Sequence, residues 1–246
     1  MSLNLNLPKA KGLFITGTDT GVGKTLVAGA IAKILTEKGI KVGPFKPIAT
    51  GCKHDWEGTV SEDTEFLAAC ANSELPLSTI TPVGYVTAAA PIVSAAQEKR
   101  AIDFEAVRSA YNEIVRNSDF LIVEGIGGIR VPLTTKIDLL DLAAEFKLPV
   151  VILARPTLGT INHTLMTIDC LQAAELKIAG VIINGFDATK ATIAEESAEQ
   201  IITRCSGVEI ITVAPYDETV DIKDVSLGEL IIPSMMHCNW EKLAQM

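Results

Sequence analysis

Apolar positions along the chain follow two alternating rhythms. Residues 12–16, 41–45, 119–124, 149–154, 179–184 and 209–214 form short runs that are apolar or β-branched at nearly every position. Runs of that kind predict strands covered on both faces. Between them lie longer stretches with a helical period. From Asp103 onward, Phe104, Val107, Tyr111, Ile114 and Val115 share one face, and Asp103 is a natural start signal. A second helix is predicted over 25–38, stopping at Gly39, and others over 138–146, 160–173 and 191–204.

Strand, helix, strand, repeated about six times, implies parallel strands joined by right-handed crossovers. The expected fold is α/β: a single-domain, doubly wound, mostly parallel sheet. No linker-like stretch or internal repeat divides residues 1–246. In such sheets ligands bind beyond the carboxyl ends of the strands, so chemistry is sought just after each strand.

Composition narrows the function. Apolar residues make up 48% of the chain and charged residues 21%, enough for a sizeable core. The formal charge of −9 argues against a nucleic acid or an anionic membrane as partner. The five cysteines are scattered without metal-binding spacing, and reduced thiols in the cytoplasm are expected. No run approaches a signal peptide or a membrane span.

The first predicted strand runs into Gly17-Thr18-Asp19-Thr20-Gly21-Val22-Gly23-Lys24-Thr25 and then an apolar helix. A glycine-rich turn at a helix start aims backbone N–H groups at phosphate oxygens. Thr20, Gly21, Val22, Gly23, Lys24, Thr25 and Leu26 are therefore candidate contacts for ATP. Lys24 is the candidate for the β- and γ-phosphates, and the Thr25 hydroxyl for Mg²⁺. Thr18 stands where the usual motif has its first glycine. Glu124 closes a buried strand with an acid, the position of a metal or water ligand in P-loop proteins. Gly125-Ile126-Gly127-Gly128 after it suggests close backbone approach to a ligand. Asp63 is a third candidate metal ligand, although an acid in Ser61-Glu62-Asp63-Thr64 would equally suit a helix cap. Lys46 follows the second strand and is a candidate catalytic cation beside Lys24.

Taken in order, these segments resemble the dethiobiotin synthetase family. Gly17 to Thr25 is similar to that family's Gly-Thr-Asp-Thr-x-Val-Gly-Lys-Thr, and Lys46-Pro-Ile-Ala-Thr50-Gly51 to its second segment. Glu124-Gly-Ile-Gly-Gly128, Leu158-Gly-Thr-Ile-Asn162-His163 and Gly180-Val-Ile-Ile-Asn184 come after them in the family's order. The resemblance implies a P-loop NTPase architecture and an ATP- and Mg²⁺-dependent ligase. Its reaction takes 7,8-diaminononanoate, CO₂ (from bicarbonate) and ATP to dethiobiotin, ADP and phosphate. It also implies roles. Thr20 and Lys24 would meet phosphate, Lys46 and Thr50 the carbamate, and Gly127 and Asn162 the substrate. Asn184 and Gly185 would meet the adenine edge, with Pro215, Tyr216 and Asp217 around the base. A homodimer is implied as well. Two departures stand out: Pro91 is followed by Ile92 where the family often has histidine, and residues 185–200 match poorly.

Two other readings share the fold. A partitioning or cell-division positioning ATPase switch, of the ParA and MinD kind, carries an early loop lysine where this chain has Asp19, and its membrane-targeting versions end in a basic helix, unlike residues 237–246. A cobyrinate amidase-like ligase would need a glutaminase domain for which the chain has no room.

Overall fold

The computed structural model describes residues 3–55 and 58–246. In chain order the elements are β1 (Gly12–Gly17), α1 (Lys24–Glu37), β2 (Val42–Phe45), β3 (Ile48–Thr50), β4 (Lys53–Asp55), β5 (Gly58–Val60), α2 (Glu62–Cys70), α3 (Leu77–Ile80), β6 (Val83–Tyr85), α4 (Pro91–Gln97), α5 (Phe104–Asn117) and β7 (Phe120–Gly128). They continue with α6 (Leu139–Phe146), β8 (Val150–Ala154), α7 (Thr160–Ala173), β9 (Ile178–Phe186), α8 (Ile193–Ser206), β10 (Ile210–Pro215), β11 (Val220–Asp221), β12 (Ser226–Leu227), α9 (Ile231–Met235) and α10 (Trp240–Leu243).

Six strands form a central sheet in the order β10-β9-β8-β1-β7-β2, and every neighbouring pair is parallel. Side chains of each strand alternate between two apolar layers, as the pleat requires. Phe14, Leu121, Val123, Val150 and Ile152 face the layer built with α5, α6, α7 and α8. Leu13, Ile15, Phe120, Ile122, Val151 and Leu153 face the layer built with α1, α2 and α9. Burial on both faces is the reason the strands read as continuous apolar runs. In the first layer Phe146 meets Phe14, Phe45 and Tyr111, with ring centroids 5.3–5.9 Å apart. Such aromatic contacts contribute about 0.5–1.5 kcal/mol beyond area burial.

Local chemistry sets the helix ends. Asp103 accepts from the Ala106 N–H at 2.9 Å, capping α5. Asp138 and Asp141 form a capping box on α6, and Thr192 with Glu195 does the same for α8. That second box starts α8 two residues later than the 191–204 expectation and carries it to Ser206. Helix α1 ends where expected, with the Gly39 and Ile40 N–H groups returning to Thr36 and Leu35.

The chain departs from the expected pattern in two ways. Strands β7 and β9 run past Glu124 and Asn184, to Gly128 and Phe186. Three two-stranded sheets, β3–β6, β4–β5 and β11–β12, decorate the central one. All five cysteines are free thiols. Among the described residues no helix is long and apolar enough to cross a membrane.

Candidate active site

Four elements bring their functional side chains to one cavity of about 440 Å³ at the carboxyl ends of β1 and β7. Its lining includes Thr20, Gly21, Gly23, Lys24, Thr25 and Leu26 from the loop and start of α1. Lys46 and Thr50 come from just after β2 and from β3, Asp63 from the first turn of α2, and Glu124, Gly125, Ile126 and Gly127 from β7. A groove of about 550 Å³ at the amino end of β2 is larger. Its charged lining is only Lys41 and Glu74, so it lacks this convergence of cations and carboxylates.

The backbone shapes the loop. Gly23 has φ of +91°, and a Cβ there would sit 2.1 Å from Asn184 Nδ2. Only glycine fits that conformation and that approach. Asn184, on β9, donates Nδ2–H to the Val22 carbonyl at 3.1 Å, tying the far strand to the loop. Opposite, a register shift pairs Ile15 with Glu124 but Gly17 with Gly128. A bulge of this kind re-aims side chains at a strand end, and here Glu124 lines the cavity.

The charges form a chain. Glu124 is 1% exposed, and its Oε1 accepts from the Thr25 hydroxyl at 2.8 Å and from Lys46 Nζ at 2.9 Å. Lys46, 4% exposed, also donates to Asp63 Oδ2. Burial acts to depress Lys46, and the Glu124 and Asp63 carboxylates outweigh it, holding the ammonium above its ordinary value. Lys24 is different: burial keeps it below the usual lysine value despite Glu124, and its Nζ donates to the Asp19 carbonyl at 2.9 Å.

Glu124 Oε2 and Asn184 Oδ1 are buried and have no hydrogen-bond partner among the described residues. A buried carboxylate oxygen left orphaned, beside a hydroxyl and a second carboxylate, is a hard-oxygen donor set that fits Mg²⁺. Thr25, Asp63 and Glu124 would hold it. An orphaned amide oxygen suits an N–H₂ donor such as an adenine edge presents.

Other expected residues lie elsewhere. Val22 is buried beneath the loop, and Asn162 is exposed on α7 outside the cavity lining. Gly185 and Tyr216 line a separate cleft of about 300 Å³ with Pro156 and Lys190. Pro215 ends β10. Asp217 is occupied by its own loop: its carboxylate accepts from the backbone of Thr219, Glu229 and Leu230. Ile92 is the second residue of α4, and its N–H donates to the Pro132 carbonyl.

Three side chains at the site carry no expected role. Val220 and Ile222, from the β11 region, line the cavity. Arg155 donates to Asp19 Oδ2 at 2.7 Å and to the Thr20 carbonyl at 3.3 Å. Its place just after β8 was the available signal, because ligand-side residues follow strand ends.

A parallel sheet wound on both faces, with a Gly-Lys-Thr loop leading from its central strand into a helix, defines a P-loop NTPase fold. The family model described as an AAA domain matches residues 11–223. The cell-division protein MinD of Aquifex aeolicus superposes with a TM-score of 0.57 at 17% identity, covering 96% of each chain, which is a likeness of fold. The ATP-dependent dethiobiotin synthetase BioD of Thermodesulfovibrio yellowstonii is 36% identical over 228 residues, 90% of this chain and 94% of that one. The enzyme of the same name from Aquifex aeolicus is 37% identical over 216 residues, 88% of this chain and 94% of that one. The chain belongs to the dethiobiotin synthetase family.

Proposed function

We propose that the protein is an ATP-dependent ligase of biotin biosynthesis that carboxylates 7,8-diaminononanoate with CO₂ and closes the ureido ring, releasing dethiobiotin, ADP and phosphate. The observation that supports it is the convergence of Lys24, Lys46, Thr50, Asp63 and Glu124 on one cavity beside the phosphate loop. Carbamate formation and phosphoryl transfer both develop negative charge in a confined space, and fixed cations stabilise it.

In this reading Thr20, Lys24 and the N–H groups of Gly21, Gly23, Thr25 and Leu26 hold the phosphates. Lys46 and Thr50 orient the carbamate, and Gly127 offers an N–H to the diamine. Asn184 reads the base, while Gly185, Pro215 and Tyr216 bound its pocket. Thr25, Asp63 and Glu124 carry Mg²⁺, which when bound neutralises phosphate charge. The chain works as one domain, as a cytoplasmic homodimer, with Asn162 contributing to the substrate across the interface. No nucleic acid or membrane takes part.

The test is phosphate release from ATP with Mg²⁺ and bicarbonate, with and without 7,8-diaminononanoate, with the product weighed by mass spectrometry. Diamine-dependent release with dethiobiotin formed supports the reading. Hydrolysis indifferent to the diamine, or stimulated by DNA or lipid, removes it.

A further inference from the structure

Lys46 is paired with both carboxylates of the site, Glu124 Oε1 at 2.9 Å and Asp63 Oδ2, and is itself buried. Lys24 and Lys46 against Asp63 and Glu124 give the cavity two basic and two acidic side chains.

Resting on the reading of Asp63 and Glu124 as metal ligands, we propose that Lys46 and a divalent cation are mutually exclusive partners of this carboxylate pair, so that metal binding releases Lys46 to an anionic substrate. A cation seated on the free Glu124 Oε2 and on Asp63 sets a second positive centre beside the ammonium held at Glu124 Oε1, and in so buried a site that repulsion is severe. Once displaced, the Lys46 ammonium is a buried charge without a partner, a state costly enough that it must recruit an anion. The carbamate of the proposed reaction is such an anion, and Thr50 lines the same cavity. Lys46 thereby couples the metal and substrate sites: the cation lowers the cost of binding the anion, and by linkage the anion tightens the cation. Lys46 is thus a placeholder that holds the two carboxyl groups in register before it turns to substrate.

The experiment is Mn²⁺ binding to the full chain without nucleotide, read by electron paramagnetic resonance of the free ion. Lys46→Met removes the competing cation and keeps the stem, so Mn²⁺ should bind about tenfold tighter or more than to the wild type. Lys46→Arg retains a cation paired with the carboxylates and should bind Mn²⁺ no better than wild type, which keeps the test open if the Met variant does not fold. Unchanged or weaker binding in Lys46→Met with a native circular dichroism spectrum overturns the proposal, as does tighter binding in Lys46→Arg. Glu124→Gln separates the two levels. If it leaves Mn²⁺ binding intact, the metal assignment itself fails. If it abolishes binding while Lys46→Met matches wild type, the assignment stands and the exclusion alone fails.

Discussion

Asn184 donates from Nδ2 to the main-chain oxygen of Val22 at 3.1 Å, linking the end of β9 to the phosphate loop. The same amide keeps its Oδ1 buried and unpaired among the described residues. Removing the side chain takes away a loop tether and the proposed acceptor for the base, together worth about 1–2 kcal/mol. Asn184→Ala is therefore expected to raise KM for ATP about tenfold with kcat held within about threefold. Steady-state kinetics at saturating diamine check this, and an unchanged KM with a fallen kcat would remove Asn184 from nucleotide binding.

The two site lysines separate by step. On the proposed function, Lys24→Ala should lower kcat by a factor of about 10² or more, because it would strip a cation from the transferring phosphoryl group. Lys46→Ala should depress dethiobiotin formation comparably while leaving the Kd for ATP within about threefold. Calorimetric ATP titration beside product mass spectrometry tells them apart. Equal loss of ATP binding in both would contradict the division of labour.

Gly12 lies where β1 meets β7, and a Cβ there would sit 2.3 Å from the Leu121 carbonyl oxygen. Main chain in the middle of a sheet cannot step aside as a flexible side chain can. Gly12→Ala should cost about 1–3 kcal/mol by overpacking, read as a fall in the urea midpoint at constant m-value.

Burial pushes the Cys70 thiol up to about 12, so at pH 8 it stays protonated and unreactive. Cys205 is exposed. Iodoacetamide at pH 8 should modify Cys205 promptly and Cys70 only after denaturation, as peptide mapping would show. Labelling of Cys70 in the native protein at the Cys205 rate would mean that the α1–α2 contact opens readily.

Hydrogen bonds to Asp217, first from the Thr219 hydroxyl and then from backbone N–H groups, hold its carboxyl down at about 2. A depressed carboxylate stabilises the fold above its unfolded pKa of about 4 and loses that contribution as pH falls through 2. Cleavage within residues 217–230 by an acid-active protease should therefore rise between about pH 4 and pH 2. Asp217→Asn should show the faster cleavage already at pH 5, since it cannot ionise.

All six central strands and five of the helices were legible in the sequence for one physical reason. Strands covered on both faces are apolar throughout, and amphipathic helices between them carry a different period. The additional strands were not, because β11 and β12 hold two residues each and no period can be read from two positions. That is why Val220 and Ile222 were missed at the cavity. At the site, the residue types of Lys46, Asp63 and Glu124 were visible, but their mutual pairing depends on how α2 packs beside β2 and β7. Asp217 shows the opposite case. The resemblance sets this acid near the base, while in the fold its oxygens accept from its own loop, a pairing that no sequence period shows.

Strand β7 lies between β1 and β2, although it comes after both in the chain by a long interval. A nascent chain that has released β1, α1 and β2 therefore has no central sheet to close, because the seat between them awaits a strand not yet synthesised. The strand that fills the seat is also the one that carries Glu124. Closing the gap between β1 and β2 and bringing the acid opposite Lys24 and Lys46 are thus one event in the biogenesis of the protein, with β8, β9 and β10 added afterwards. A ribosome-bound intermediate stopped ahead of β7 would hold the phosphate loop and Asp63 without Glu124.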